Sequence, residues 1–183
     1  MKNIFSKTKY TVATIAMLAA LPGLGLVSSC SKDFLKYPPE LQLPEEDAFA
    51  TPERIESQIV GLYTSAKSGE LFGGRYFVYN DIRGEEFINR TSNVVTGFST
   101  YEFTNDPGDT YIANFWRFGY LTINRVNKFL ADFDQNTGVV SEELEASYRA
   151  EAKFVRALCY HALVQLFAKP YTLDNGASKG IPL

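Results

Sequence analysis

The sequence predicts an all-α protein in which long helices pair as TPR-like helical hairpins or an α-α superhelix. Three segments repeat apolar residues at the spacing of one helix face, and each is bounded by residues that favour helix termini. Polar segments rich in Asn, Thr, Gly and Pro separate them. A helix with one apolar stripe must pack on a neighbour, so consecutive helices should dock on one another. No tetratricopeptide period of about 34 residues is evident, so periodicity alone leaves a bundle and a solenoid open.

The first helix is predicted to begin after Thr51, which is a favourable N-cap. Pro52 fits the first helical position, and Glu53 suits the positive end of the helix dipole. Ser68-Gly69 should end the helix. Its apolar face would comprise Ile55, Ile59, Leu62, Tyr63 and Ala66.

The segment that follows is harder to assign. Residues 75–88 fit a helix broken near Gly84, but an alternating strand pattern fits them too. Residues 89–110 are predicted to be mostly loop, because they are rich in Asn, Thr, Ser and Gly and contain the turn signal Asp106-Pro107-Gly108-Asp109.

Two further helices are predicted to be long. One spans residues 111–133 and is closed by Asn136-Thr137-Gly138. The other begins at Ser141-Glu142-Glu143 and runs to about Ala168, where Lys169-Pro170 stops it. Their apolar stripes comprise Ile112, Phe115, Trp116, Tyr120, Ile123, Val126, Leu130 and Phe133 on the former, and Leu144, Tyr148, Ala152, Val155, Cys159, Ala162 and Leu166 on the latter.

The N-terminal residues predict an exported, lipid-modified protein. Three lysines precede an uncharged run from Thr11 to Val27, which is the pattern of a secretory signal peptide. This run is too short and too interrupted by Pro and Gly for a transmembrane helix of about 20 apolar residues. Val27-Ser28-Ser29-Cys30 resembles a bacterial lipoprotein signal, in which the cysteine thiol forms a thioether to diacylglycerol. The alternative is an ordinary signal peptide that happens to stop near a cysteine.

These patterns divide the chain into three parts. Residues 1–29 are predicted to be a lipoprotein signal peptide and residues 51–183 a helical domain. Residues 30–50 would be a lipid-anchored tether, since their prolines favour extended backbone. They would equally serve as an ordered strap, because the apolar side chains in this stretch need contacts away from water.

The sequence gives no indication of an enzyme, a cofactor or a metal. It contains no GxSxG, HExxH or phosphate-loop motif, and the loop carboxylates do not match an EF-hand spacing. His161, the single histidine, is predicted to be packed or on the surface, and Cys159 to be a small core residue. The formal net charge of −3 offers no clustered positive charge for a nucleic-acid partner.

A resemblance to a known family rests on several segments in order. Residues 149–183, RAEAKFVRALCYHALVQLFAKPYTLDNGASKGIPL, resemble a hallmark of the SusD/RagB family of outer-membrane nutrient-binding lipoproteins. Residues 59–63, 81–86 and 116–127 are similar to family motifs upstream of it, and the lipoprotein cysteine is in place. The resemblance covers nearly all of residues 30–183.

The resemblance implies a TPR-like helical protein that is lipid-anchored in the outer membrane and exposed at the cell surface. Members bind glycans or other nutrients, work with a SusC-like, TonB-dependent outer-membrane transporter, and are not enzymes. Members are also several times longer than this chain, so residues 51–183 are expected to be an incomplete N-terminal domain. A fragment, a truncated reading frame and an excised domain remain open.

Phe98, Tyr101 and Phe103 are the candidate ligand-binding residues. They lie in the polar loop of residues 89–110, and apolar sugar faces stack on aromatic rings of this kind. The resemblance implies that this region contributes aromatic residues to the ligand platform. The alternative is that the rings pack beneath the loop.

Two other functions compete with glycan binding. The helical hairpins would serve as a protein-interaction scaffold that docks on the transporter without touching a small molecule. A surface hydrolase is the second rival, and the lack of any paired catalytic constellation argues against it.

Replacing Cys30 by Ala is expected to abolish labelling of the protein by a fatty-acid probe in cells, because the acceptor thiol is lost. The matched variant Cys159→Ala keeps that thiol and should retain the label. Labelling of Cys30→Ala at the wild-type level would refute the lipoprotein prediction.

Overall fold

The structure is a computed structural model that describes residues 47–88, 90 and 97–183. The predicted signal peptide, Cys30 and most of the predicted tether lie outside these described residues. Within them the secondary structure is entirely helical, as predicted. The helices are α1 (Pro52–Ala66), α2 (Arg75–Arg83), α3 (Phe98–Tyr101), α4 (Thr110–Gln135), α5 (Glu142–Phe167) and α6 (Tyr171–Asp174).

α1 begins as the sequence predicts. The Thr51 side chain accepts a hydrogen bond from the Arg54 backbone N–H at 3.4 Å, and Pro52 occupies the first helical position. The helix ends at Ala66, slightly before the predicted Ser68-Gly69, and a tight turn follows. A Cβ at Gly73 would lie 2.2 Å from the Lys67 carbonyl oxygen, so this turn requires glycine.

α2 resolves the ambiguity of residues 75–88 in favour of a helix that ends next to Gly84. The alternating strand pattern therefore does not describe this segment. Residues 97–109 contain one short helix, α3, between turns. Asp109 closes the segment, since its side chain accepts hydrogen bonds from the first backbone N–H groups of α4 at 2.9 and 3.3 Å.

α4 and α5 form the long helical hairpin. The Ser141 hydroxyl accepts a hydrogen bond from the Leu144 N–H and caps α5, while Gly138 adopts a φ of 83° in the connecting turn. The two helices approach closely at Gly119, where a Cβ would lie 3.0 Å from the Leu163 side chain. α1 packs against both helices of this hairpin.

Two apolar clusters fill the domain. Cluster 1 joins α1 to the C-terminal half of α4 and the N-terminal half of α5, and its buried residues are Phe49, Ile55, Ile59, Leu62, Ala66, Val126, Phe129, Phe133, Ala152 and Val155. Cluster 2 joins α2 to the opposite halves of α4 and α5, and its buried residues are Leu71, Tyr79, Phe115, Ile123, Cys159, Ala162 and Leu163. Phe72 packs against both clusters.

The predicted apolar faces differ from the observed ones at a few positions. Tyr63 and Leu144 are 40% and 45% exposed, because Tyr63 borders the α1 face and Leu144 lies in the first turn of α5. Leu163 lies outside the predicted stripe of α5 but is fully buried against Gly119. Trp116 is half-buried at the edge of cluster 2, in contact with Tyr120 and Phe167.

One buried polar network links α1 to α4. The Arg125 guanidinium donates a hydrogen bond to the Ser65 hydroxyl at 2.8 Å, and Ser65 shares a second one with Thr122 at 2.9 Å. Ser65 and Thr122 are both buried, so these bonds satisfy hydroxyl groups that would otherwise be costly.

The GIPL segment at residues 180–183 folds back onto α4. Ile181 packs against cluster 2, and the Tyr120 hydroxyl donates a hydrogen bond to the Pro182 carbonyl at 2.7 Å. No helix in the described ranges is both long and apolar enough to cross a membrane.

Truncating Phe115 to Ala should lower the free energy of unfolding by about 3–5 kcal/mol, because a fully buried ring leaves a cavity in cluster 2. The matched change Phe154→Ala removes a ring that is 58% exposed on α5, so its effect should stay within about 1 kcal/mol. Urea denaturation followed by circular dichroism measures both values. Equal effects of the two changes would contradict the placement of these rings.

Candidate functional site

A cavity of about 320 Å³ lies between α2, the loop after α3, the first turn of α4 and the end of α5. Its wall combines aromatic and aliphatic side chains with several polar groups. The lining residues are Tyr79, Arg83, Thr100, Phe103, Asn105, Ile112, Leu166 and Phe167. A partly apolar concavity with a few convergent polar groups is the usual form of a small-molecule site.

Long-range contacts fix α2 along this cavity. The Tyr76 hydroxyl donates a hydrogen bond to the Gln165 side chain on α5 at 2.8 Å. The Tyr79 ring meets the Phe115 ring on α4 edge-on, with centroids 6.1 Å apart. α2 is therefore tied to both helices of the long hairpin.

Side-chain hydrogen bonds hold the loop that forms the opposite wall. The Ser99 hydroxyl donates to the Asp109 carboxylate at 2.7 Å, which joins α3 to the cap of α4. The Thr100 hydroxyl donates to the Asn105 side-chain oxygen at 3.1 Å. The Asn105 amide group, which has two N–H donors, is thereby oriented within the loop.

Tyr79 carries a polar group that the fold leaves unsatisfied. The residue is 2% exposed, and its hydroxyl is buried without a hydrogen-bond partner among the described residues. Such a group costs about 1–3 kcal/mol of folding free energy. Burial raises the pKa of Tyr79 to about 12, so the hydroxyl keeps its proton and remains a donor at neutral pH.

Arg83 is the charged residue of the cavity wall. It lies at the C-terminal end of α2, is exposed, and makes no hydrogen bond or ion pair with another residue of the described ranges. Its planar guanidinium therefore offers several donors that the fold does not use.

The three aromatic residues predicted from the sequence take different positions. Phe103 lines the cavity and is 62% exposed, whereas Phe98 and Tyr101 are half-buried on α3 and do not line it. Phe103 has a φ of 55°, a left-handed conformation that is uncommon for a residue with a side chain. Such strain often accompanies functional loops.

Sequence reasoning missed Tyr79 and Arg83 as candidates. Both lie in a segment whose periodicity was ambiguous, so their side chains could not be assigned to a face. The one available signal was the spacing of four residues, which places them on the same side of a helix.

Other cavities lie among the described residues. One of about 120 Å³ shares Tyr79 and Thr100 with the cavity beside α2. Another, of about 420 Å³, lies between α1 and α4 and has a mainly apolar wall that includes Phe49 and Phe129. Both of these rings are almost fully buried, so they cannot offer a face to a ligand.

The remaining reactive side chains do not form a site within the described part of the chain. His161 is exposed on α5. Cys159 is 1% exposed, and burial raises the pKa of its thiol to about 12, so it stays protonated and inert. No group of three or more His, Cys, Asp or Glu among the described residues is arranged to hold a metal ion.

Comparison with known proteins identifies the family. A family profile described as SusD-like, starch-binding and associating with the outer membrane matches residues 33–180. A SusD-like protein of Formosa agariphila is 29% identical over 153 residues, which cover 78% of this chain and 28% of that protein. The crystal structure of a SusD superfamily protein from Bacteroides fragilis is 40% identical, with a TM-score of 0.69 over 75% of this chain and 32% of that one.

The chain thus spans less than a third of the length of either relative. The structural similarity confirms the predicted all-α, TPR-like class. The family description associates the group with starch binding at the outer membrane. Because the family profile covers most of the sequence and the fold agrees, this chain is a member of the SusD/RagB family.

Proposed function

We propose that this chain is part of a cell-surface lipoprotein that binds nutrient glycans or their oligosaccharides. The lipoprotein would act together with a SusC-like, TonB-dependent outer-membrane transporter in the uptake of these glycans. Family membership supports the proposal. The cavity beside α2 indicates which residues would bind the glycan, because an exposed aromatic ring lies there near unused hydrogen-bond donors.

The lining residues suit a sugar in two ways. The exposed Phe103 ring offers an apolar face to the C–H side of a sugar ring. Arg83 and Asn105 supply donors for its oxygen atoms.

The proposed location depends on the N-terminal residues. A diacylglycerol on the Cys30 sulfur and an acyl chain on its amino group would anchor the protein more firmly than one chain alone. Residues 30–50 would then connect the lipid to the helical domain. Within the described part of this stretch, Phe49 packs into cluster 1, and the Asp47 carbonyl accepts a hydrogen bond from Arg54 at 2.9 Å.

We propose binding without turnover. A glycan hydrolase requires a pair of carboxyl groups flanking the scissile bond, and no carboxylate is among the residues that line the cavity. Release of reducing ends from a polysaccharide by the purified protein would contradict this.

A second candidate is a helical scaffold that docks on the transporter without binding ligand. It is favoured by Val60 on α1 and Phe154 on α5, which are 57% and 58% exposed. Co-purification with the transporter together with no retardation by any glycan would support the scaffold over the receptor.

Removing the Phe103 ring should weaken glycan binding by roughly tenfold, because stacking on one aromatic ring contributes about 1 kcal/mol or more. Calorimetry with a panel of oligosaccharides measures the change for Phe103→Ala. Phe154→Ala, which removes an exposed ring far along α5 from the cavity wall, serves as the control. Unchanged affinity of Phe103→Ala would exclude this ring from the site.

Tyr79→Phe should stabilise the protein. Removing the unsatisfied hydroxyl should raise the free energy of unfolding by about 1 kcal/mol. Tyr76→Phe removes a hydroxyl that has a partner and should leave the protein no more stable than wild type. A destabilised Tyr79→Phe variant would indicate that the hydroxyl has a partner after all.

A further inference from the structure

We propose that the cavity beside Arg83 selects sugars that carry an oxyanion, as a uronate carboxylate or a sulfate ester. The inference rests on the proposed glycan binding and specifies the chemical class of the ligand. Three features support it: the charge of the cavity wall, its balance of donors and acceptors, and the commitment of two carboxylates that act on Tyr79.

The charge of the wall is positive and unbalanced. Arg83 is the charged member of the lining set, which includes no Asp or Glu. The guanidinium has no partner among the described residues. A guanidinium matches the geometry of a carboxylate or sulfate with two parallel N–H···O bonds, and charge-assisted bonds of this type are about twice as strong as neutral ones.

The hydrogen-bonding groups of the wall are mainly donors. The Asn105 side-chain oxygen already accepts from Thr100, which leaves the N–H groups of its amide available. A neutral sugar presents hydroxyl groups that both donate and accept, and it would find no carboxylate here to receive its protons. An oxyanion only accepts, so it fits a wall of donors.

Two carboxylates that act electrostatically on the wall residue Tyr79 are already engaged. They are Asp109, which lines the smaller neighbouring cavity, and Glu70. Asp109 accepts bonds from Ser99 and from the first turn of α4, and Glu70 pairs with Arg75 at 3.3 Å. These partners offset the negative charge that would otherwise oppose an anionic ligand.

Affinity electrophoresis of the full chain tests the inference with matched polysaccharides. Polygalacturonate would be compared with its carboxyl-reduced form, and carrageenan with its desulfated form, with amylose as a neutral reference. We expect retardation by at least one anionic polysaccharide and a loss of roughly tenfold in affinity on reduction or desulfation. The carboxylate and sulfate pairs distinguish the two sources of the oxyanion. Binding should also weaken as NaCl is raised.

Variants at two arginines provide the control. Arg83→Gln should lose roughly tenfold in affinity for the anionic polysaccharide, and Arg83→Lys should fall between it and wild type, because charge remains but the planar fork is lost. Arg117→Gln makes the same charge change at a residue that does not line the cavity and should bind as wild type does. Circular dichroism would verify the fold of each variant.

The possible outcomes separate this inference from the proposed function. Equal binding of an anionic polysaccharide and its neutral counterpart, or wild-type affinity in Arg83→Gln, would overturn the inference. Binding of amylose alone would overturn it while leaving glycan binding intact. Failure of the wild-type chain to bind any polysaccharide would overturn both.

Discussion

The contact between α4 and α5 is the constraint on which the other elements depend. Each helix has 26 residues, and each buries a stripe of apolar side chains against the other. The absence of a side chain at Gly119 lets Leu163, near the C-terminal end of α5, lie against the α4 backbone. Because the helices are held together along their length, they present two ends on which other elements can pack, and the two apolar clusters form there.

The candidate site forms where α2 packs on one end of the α4–α5 hairpin. α2 has nine residues and is too short to be stable alone, so its position depends on Tyr76 and Tyr79 packing on the hairpin. The loop after α3 is held through Asp109, which is also the cap of α4. The same residues that start the long helix therefore shape the cavity wall. The unsatisfied Tyr79 hydroxyl and the left-handed Phe103 are local costs that the stable hairpin can support.

Much of the fold was predictable because its signals are local. Thr51, Asp109 and Ser141 each precede a helix and cap it in the structure, and the long periodic stripes identify α4 and α5. The end of α1 was less predictable, because a tight turn stabilised by backbone hydrogen bonds follows Ala66. Such a turn is decided by the packing of Leu71 and Phe72, which is not a local property.

The site was less predictable than the fold for the same reason. Phe103 was predicted together with Phe98 and Tyr101, because sugar faces stack on aromatic rings and the family resemblance implies aromatic residues in this loop; of the three, Phe103 lines the cavity. Arg83 and Tyr79 were recognisable as candidates only from their surroundings. Among the described residues Arg83 has no partner, and the Tyr79 hydroxyl is buried without one. A missing partner is a property of three-dimensional packing, and no motif in a single sequence records it.

The burial of Cys159 has a practical consequence. Its thiol lies in cluster 2 between the two long helices, where it is both inaccessible and protonated. A maleimide can therefore reach it only when the hairpin separates at that end, and the alkylation rate reports how often this happens. The alkylation rate of Cys159 therefore reports the opening of the end that carries the cavity. A bound ligand that contacts both α2 and α5 would lower this rate.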